Sequence, residues 1–263
     1  MCHERGIHLA HSPERIDPGR KFPSLIDIPK VVGGIDEVSA QKAVEFYETV
    51  FTRVVQVKNS EHSEAAKLLE NCYRAVNISF ANEFANFCDT AGLDVKDIVH
   101  AASTKPFGFS PFRSWIGVGG HCIPVDPHFL MASSASGDKK EAWPILSATM
   151  EAMHERPRRL ARERFNNMKQ MQRVLVCGVS YKANVSDTRG APQHAFVQVL
   201  KDLGVEVDFY DPLVQSFQDL RKIDDLSDAV VESYDAIYVM HKHDKCADVL
   251  EGIRGREKVE FFE

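Results

Sequence analysis

Arg173-Val-Leu-Val-Cys-Gly178, Val205-Glu-Val-Asp-Phe-Tyr210 and Tyr234-Asp-Ala-Ile-Tyr-Val-Met240 decide the fold of this chain. The first is a short apolar run, the pattern of a buried strand, and the other two read as the strands that follow it. Between the first two, Gln193–Leu203 has apolar residues at helical spacing and closes at Gly204. Strands alternating with helices predict βαβ units, and so a doubly wound parallel sheet over 166–263. Ligands of such sheets sit at the carboxyl ends of the strands, here around 178–189, 211 and 241.

Toward the N-terminus the pattern turns helical. Trp143–Met168 reads as a helix, rich in Lys and Arg in its second half, that would serve as a linker. Residues 104–128 are loop-like and contain Gly117-Val-Gly-Gly-His-Cys-Ile-Pro-Val-Asp-Pro127. Ser63–Ala91, ending at Gly92, reads as a long helix, with Ser60 and Glu64 marking its start. Its apolar positions Ala65, Leu68, Leu69, Cys72, Ala75, Val76 and Phe80 cover a wide face, as in a domain spine or a dimer interface. Asp36–Phe51 is helical in pattern and Thr52–Lys58 alternates like a strand. Gly6–Ala10 reads as an isolated strand followed by a loop rich in Pro, Arg and Asp. The expectation is an α/β chain: a segment 1–32, a mainly helical central domain 33–165, and the sheet domain 166–263.

Composition narrows the function classes. The 263 residues suit two modest domains, and 44% hydrophobic with 27% charged residues is ordinary for a globular chain. A net charge of -6 gives no basic footprint for nucleic acid and no polybasic face for a membrane. No apolar run approaches the roughly 20 residues of a membrane span, and Met-Cys-His-Glu-Arg at the start lacks the apolar core of a signal peptide. Six scattered cysteines without a C-x-x-C pair predict reduced thiols in a cytoplasmic protein.

Several residues can carry chemistry. Lys67, Asn71 and Arg74 are spaced by four and three on the long helix and so share one face. They are either a solvated stripe or a row of donors aimed into a site. Cys122 is either a small buried hydrophobe or a reactive thiol in a loop whose glycines admit a ligand to the backbone. His121, Cys122, Asp126 and His128 match no standard zinc spacing, so no metal is expected there. Tyr181-Lys182 and Asp187-Thr-Arg189 follow the first strand of the sheet domain, a natural place to meet an anion. That loop lacks G-x-G-x-x-G, because Gly178 and Gly190 stand alone; it fails as a dinucleotide fingerprint but stays open as a site for one nucleotide.

Four stretches in order resemble the UDP-glucose/GDP-mannose dehydrogenase family. They are Ser12–Gly19 through Pro29–Gly34, Lys67–Asn71 through Asn82-Glu83, Gly117–Pro127, and Gly178–Lys182 with Asp187–Arg189. The resemblance implies oxidation of a nucleotide sugar at C6 in two steps with NAD, through an aldehyde held on a cysteine. By position Cys122 would be the nucleophile, Lys67 the oxyanion partner with Asn71 beside it, and Glu14 the acid/base for water attack. Asp126 would support the lysine and that water. Gly117, Gly119 and Gly120 would let backbone amides meet the nucleotide sugar, with Arg74, His121, Tyr181 and Lys182 also on the substrate side. Arg189 and Asp187 would face the cofactor. The helix 63–91 would be the spine of a homodimer.

The resemblance also implies that 1–32 is the remnant of an NAD-binding domain and 166–263 a UDP-binding domain cut short after Val259–Phe262. On that basis the isolated chain is expected not to reduce NAD. It reads as a truncated dehydrogenase or, alternatively, as a catalytically inactive dimerising UDP-sugar-binding relic. Val125 stands where the UDP-glucose branch usually has lysine, which points to UDP-N-acetylglucosamine or UDP-N-acetylmannosamine, with UDP-glucose second. Trp115-Ile116 replaces the Gly/Pro-rich approach to the loop, and His154 stands where the family often has Asn.

Overall fold

The computed structural model describes residues 6–16, 24–133, 139–168 and 171–262. Met1–Arg5 and residues 17–19 of the Ser12–Gly19 motif lie outside them. The chain forms two compact units, Met1–Tyr73 and Arg74–Glu263, each described by itself.

In the first unit, β1 (Ala10–His11), β2 (Lys30–Gly34) and β3 (Val54–Gln56) form one sheet in that order. The strand expected at Gly6–Ala10 is therefore corrected: it begins only at Ala10, and it is not isolated. Ala10 and His11 pair antiparallel with Gly34 and Gly33 of β2, which in turn runs parallel to β3. The helix α1 (Glu37–Glu48) begins where the Asp36 carboxylate accepts the Ser39 amide at 2.6 Å. Gly33 and Gly34 are required by close approach. A Cβ on Gly33 would stand 2.0 Å from the Asn59 carbonyl oxygen, and one on Gly34 2.3 Å from the Ala40 nitrogen. His11 Nδ1 lies 2.7 Å from Ser63 Oγ on α2 (Ser60–Ala91), which begins three residues earlier than its apolar pattern does.

The helix α2 has 32 residues and so runs about 48 Å. Cys72, Ala75, Ala85 and Cys88 are buried along it, while Leu69, Tyr73, Phe80 and Phe87 are exposed.

The second unit continues with α3 (Val95–Ser103), α4 (Asp126–Ala132), α5 (Lys139–Ala142) and α6 (Pro144–Asn167). Its sheet domain follows as β4 (Arg173–Cys177), α7 (Gln193–Asp202), β5 (Glu206–Tyr210), β6 (Arg221–Lys222), α8 (Asp228–Glu232), β7 (Ala236–Val239), α9 (Ala247–Gly252) and β8 (Val259–Phe261). The five strands are ordered β6-β5-β4-β7-β8, with every pairing parallel. Strand order reverses between β4 and β7, and the crevice at such a switch point is where these sheets bind ligands.

Both faces of the sheet are covered, which is why β4 and β7 read as apolar runs. Val174, Val176, Phe209 and Tyr238 pack with Phe196, Leu200 and Leu160 on one face. Leu175, Ile237 and Val239 pack with Leu226, Leu250 and Ile253 on the other. Leu160 and Ala161 of α6 belong to the first of these cores, so α6 is built into the sheet domain rather than strung as a free linker. Arg156, on the same helix, donates to the Asn82 carbonyl at 3.1 Å, to Asn86 Oδ1 at 2.8 Å and to the Trp115 carbonyl. Burial lowers its guanidinium to about 10, helped by Arg159.

Candidate functional site

The glycine loop lies on the loop that leaves β4. Its start is pinned at Trp115, whose backbone N–H donates to Asn82 Oδ1 at 2.8 Å and whose indole N–H donates to the Met240 carbonyl at 2.6 Å. Ile116 beside it is fully buried. A Cβ on Gly117 would sit 2.7 Å from Pro192 Cβ, and one on Gly119 2.8 Å from Tyr181 Cβ. Gly120 has φ +91° and packs on the Tyr181 ring. These glycines are thus required by the packing of two loops, which sets Gly117–Cys122 beside Tyr181 and Gly190–Pro192.

Gly190 completes this contact. Its φ is +64°, and a Cβ there would be 2.9 Å from the Gly120 carbonyl oxygen. A left-handed backbone costs an L-residue about 1–2 kcal/mol, and backbone cannot step aside cheaply. Gly190→Ala is therefore expected to lower thermal stability by at least that much. A melting temperature equal to that of the parent in differential scanning fluorimetry would contradict the close approach.

Cys122 is exposed, whereas Cys72, Cys88, Cys177 and Cys246 are buried. The reading of Cys122 as a small core hydrophobe is thus set aside, and the thiol stands in reach of solvent. Its carbonyl accepts from the Val125 and Asp126 amides at 3.0 and 2.8 Å, turning the loop into α4. Asp126, half-buried, is the first residue of that helix.

His121 Nε2 lies 3.9 Å from Asp187 Oδ2. Asp187 is held by Arg189: Nη2 donates at 2.9 Å, Nε at 3.0 Å and the backbone amide at 2.9 Å. These bonds lower the Asp187 carboxyl to about 2 and raise the Arg189 guanidinium. The two residues expected on the cofactor side thus engage each other. Tyr181 donates its backbone N–H to the Asp187 carbonyl at 2.9 Å, and both Tyr181 and Lys182 are half-buried.

Glu14, Lys67 and Asn71 fall in the first unit. Glu14 Oε1 accepts the amides of Arg15 and Ile16, each at 2.7 Å, and Oε2 stands 3.8 Å from Lys30 Nζ. Arg15 donates to Glu70 on α2 at 2.7 Å and to the Pro29 carbonyl at 2.7 Å, which holds the Glu14 loop against the turn of α2 between Lys67 and Asn71. Asn71 is buried, Lys67 half-buried, and Arg74, in the second unit, exposed. The three residues share a face of α2 but differ in burial, which argues against a uniformly solvated stripe.

Two clefts flank the sheet domain. One of about 720 Å³ runs beside the glycine loop, lined among others by Val118, Pro124, His128, His154 and Pro192. The other, of about 1080 Å³, lies against β7 and β8 with Arg164, Glu232, Arg256, Lys258 and Glu260 in its walls. These charges pair with one another, Arg164 with Glu260 at 2.6 Å and Lys258 with Glu232 at 2.8 Å. Neither cleft is lined by an expected site residue, and only the smaller abuts the glycine loop.

Sequence reasoning did not single out Trp115 and Arg156 as anchors of the loop, nor the histidines His241 and His243 at the end of β7. Only the position after β7 was legible, as a strand end at the ligand side of a doubly wound sheet.

Comparison with known proteins places these features. The central-domain model of the UDP-glucose/GDP-mannose dehydrogenase family matches residues 61–153, and the UDP binding domain model of the same family matches 175–259. A UDP-N-acetyl-D-mannosamine dehydrogenase of Methanocaldococcus jannaschii is 34% identical over 247 residues, covering 93% of this chain and 55% of the relative. An NDP-N-acetyl-D-galactosaminuronic acid dehydrogenase of Ralstonia nicotianae is 32% identical over 200 residues, covering 75% and 46%. The solved structure of the UDP-D-ManNAc dehydrogenase of Pyrococcus horikoshii superposes with a TM-score of 0.79 at 29% identity, covering 97% of this chain and 59% of that one. The chain spans about half the length of the curated relatives it matches. Its loops, its sheet order and both matched domains make it a member of the UDP-glucose/GDP-mannose dehydrogenase family.

Proposed function

We propose that this chain is part of a nucleotide-sugar 6-dehydrogenase that oxidises the C6 alcohol of a UDP-N-acetylhexosamine to the carboxylate, with Cys122 as the covalent nucleophile. The observation that carries the reading is an exposed Cys122 in a loop seated by its glycines against Tyr181 and Pro192, inside a chain of this family. Relatives named for UDP-N-acetyl-D-mannosamine support the substrate class.

NAD is the hydride acceptor in this reading. The described residues do not build its pyrophosphate site: the loop after β4 has no G-x-G-x-x-G turn, Gly178 is packed against His241, and Arg189 is committed to Asp187.

The chain's own residues divide the remaining work. The Cys122 thiolate adds to the C6 aldehyde, forming a C–S bond and a thiohemiacetal oxygen, which Lys67 stabilises with Asn71 alongside. NAD, when bound, would supply the oxidising power that takes the C6 alcohol to the aldehyde and this adduct to a thioester. Glu14 takes the proton of the attacking water, with Asp126 supporting the water and the lysine, and the C–S bond breaks to free the carboxylate and the thiol. Arg74, His121, Tyr181, Lys182 and the amides of Gly117, Gly119 and Gly120 bind the nucleotide sugar. Homodimerisation through α2 belongs to the same reading, supported by exposed Leu69, Tyr73, Phe80 and Phe87. So does residence in the cytoplasm, supported by six scattered cysteines that form no C-x-x-C pair.

The test is turnover of UDP-N-acetylmannosamine, UDP-N-acetylglucosamine and UDP-glucose by the protein that carries this chain, read as NADH formation. A preference of about tenfold or more for an N-acetylhexosamine is expected, the scale at which one pocket contact discriminates. A preference for UDP-glucose would overturn the substrate assignment. UDP-sugar binding without turnover would favour the inactive, dimerising UDP-sugar-binding reading.

A further inference from the structure

At the carboxyl ends of β5 and β7, close to the switch point of the sheet, Asp211, His241 and His243 each place one ligand-type atom within 4.8 Å of the others. Asp211 and His243 are buried and His241 is 9% exposed. The hydrogen bonds settle the proton positions. The Asn184 amide donates to His243 Nδ1 at 2.9 Å, so His243 carries its proton on Nε2 and shares it with Asp211 Oδ2 at 3.0 Å. Ser180 gives its single hydroxyl proton to the Lys182 carbonyl at 2.9 Å. It can then only accept from His241 Nε2, 3.0 Å away. His241 Nδ1 is left as a bare lone pair, buried and without a partner among the described residues.

An Asp–His tie that merely braces two strand ends accounts for Asp211 and His243. It does not account for His241. A buried unsatisfied nitrogen is destabilising, and an apolar residue at 241 would avoid that cost. The ring is also boxed in. A Cβ on Gly178 would meet His241 Cδ2 at 3.1 Å, the Trp115 ring centroid is 5.9 Å away, and the His243 ring stands edge-on at 5.0 Å.

We propose that Asp211, His241 and His243 form a site for a borderline divalent cation such as Zn²⁺. Two imidazoles and a carboxylate are a donor set such ions accept, with a fourth position left for water. Donors around a tetrahedral zinc stand about 3.4 Å apart, given bonds of about 2.0–2.1 Å. His243 and Asp211 already stand 3.0 Å apart and all three donors lie within 4.8 Å, so the ion would draw that pair toward His241 and replace the proton the two now share. The Asn184 amide on His243 Nδ1 would then act as the outer partner that orients a ligating imidazole. Asn184 also accepts the Asp244 amide at 2.8 Å, so the ion would stiffen the loop that carries Tyr181 and Lys182. The cluster takes no part in the proposed dehydrogenase chemistry, and the inference stands apart from it.

The experiment is titration of the chelator-treated full chain with Co²⁺, followed by Zn²⁺. One equivalent of Co²⁺ is expected to give the visible d–d absorption of a four-coordinate ion, without a sulfur-to-cobalt charge-transfer band. Zn²⁺ should bleach it and raise the melting temperature. His241→Gln should abolish the band, and Cys122→Ser should leave it intact. Absence of the band, its survival in His241→Gln, or its loss in Cys122→Ser would each overturn the site. If His241→Gln does not fold by circular dichroism, the parent spectrum decides, because binding at Cys122 would show the sulfur band and the proposed site would not.

Discussion

Cys122→Ser is expected to lower kcat/KM for the UDP-sugar by about 10⁴-fold, the scale on which loss of a covalent nucleophile is felt. Thiolate sulfur is both a strong nucleophile and a competent leaving group, whereas a serine hydroxyl is mostly protonated at neutral pH and leaves poorly from an ester. The substitution deletes no packing, since Cys122 is exposed and its structural role runs through its backbone carbonyl. Melting temperature should therefore stay within about 1 kcal/mol of the parent in stability terms. The two readouts together make the test sharp. A loss of activity with an unchanged melt supports covalent catalysis, and an active serine variant would remove Cys122 from the proposed mechanism. Lost activity with a lost fold would instead make this loop a structural keystone, against its observed exposure.

Asp208→Asn should be the most destabilising conservative change in the sheet domain, at about 3 kcal/mol. Asp208 lies on β5 and is 2% exposed. Its carboxylate accepts from Arg221 Nη2 at 2.6 Å, Tyr234 Oη at 2.7 Å and Arg173 Nη2 at 2.9 Å. It thereby links β4, β5 and β6 to the residue that leads into β7. Burial alone pushes this carboxyl upward, but the bonds from Arg221, Tyr234 and Arg173 outweigh it and leave it lowered. An amide in its place would leave Arg221 without its counter-charge and Arg173 with only the more distant Glu206 carboxylate, at 3.6 Å. Arg221 is 57% exposed and can turn to water, which keeps the figure at the low end of the usual range for breaking a buried pair.

For a unit of this size about 3 kcal/mol is a fall of roughly 6–12 °C in melting temperature. The sign with pH follows from the lowered folded pKa. The contribution is fully present above the unfolded value of about 3.9 and is lost as pH falls through the lower folded value. Parent and variant should differ by a constant amount near neutrality and converge below about pH 4. A difference that grows on acidification would contradict the assignment.

The amino-acid sequence by itself determined the architecture of the sheet domain and the position of the glycine loop. Val174–Cys177 and Ala236–Val239 are buried on both faces, and a segment with no solvent face announces itself as an unbroken apolar run. The periodicity of α2 and α6 is equally local, because one helix face repeats within a few residues. Short elements were not legible: β6 is Arg221–Lys222 alone, and two charged residues become a strand only because β5 offers them an edge. The same holds for Ala10–His11: only Ala10 falls in the solitary strand read from the sequence, and the pair becomes a strand because Gly33 and Gly34 of β2 come beside it.

At the candidate site the sequence identified residue types, while burial and partners were decided by tertiary structure. Cys122 had two readings until the packing of Gly119 on Tyr181 turned its loop outward. Arg189 and Asp187 read as anion and cofactor contacts, yet two residues apart on one loop they close on each other. Asp211, His241 and His243 gave no motif, since thirty residues separate the aspartate from the first histidine. A parallel sheet brings the carboxyl ends of distant strands together, and no local pattern encodes that meeting.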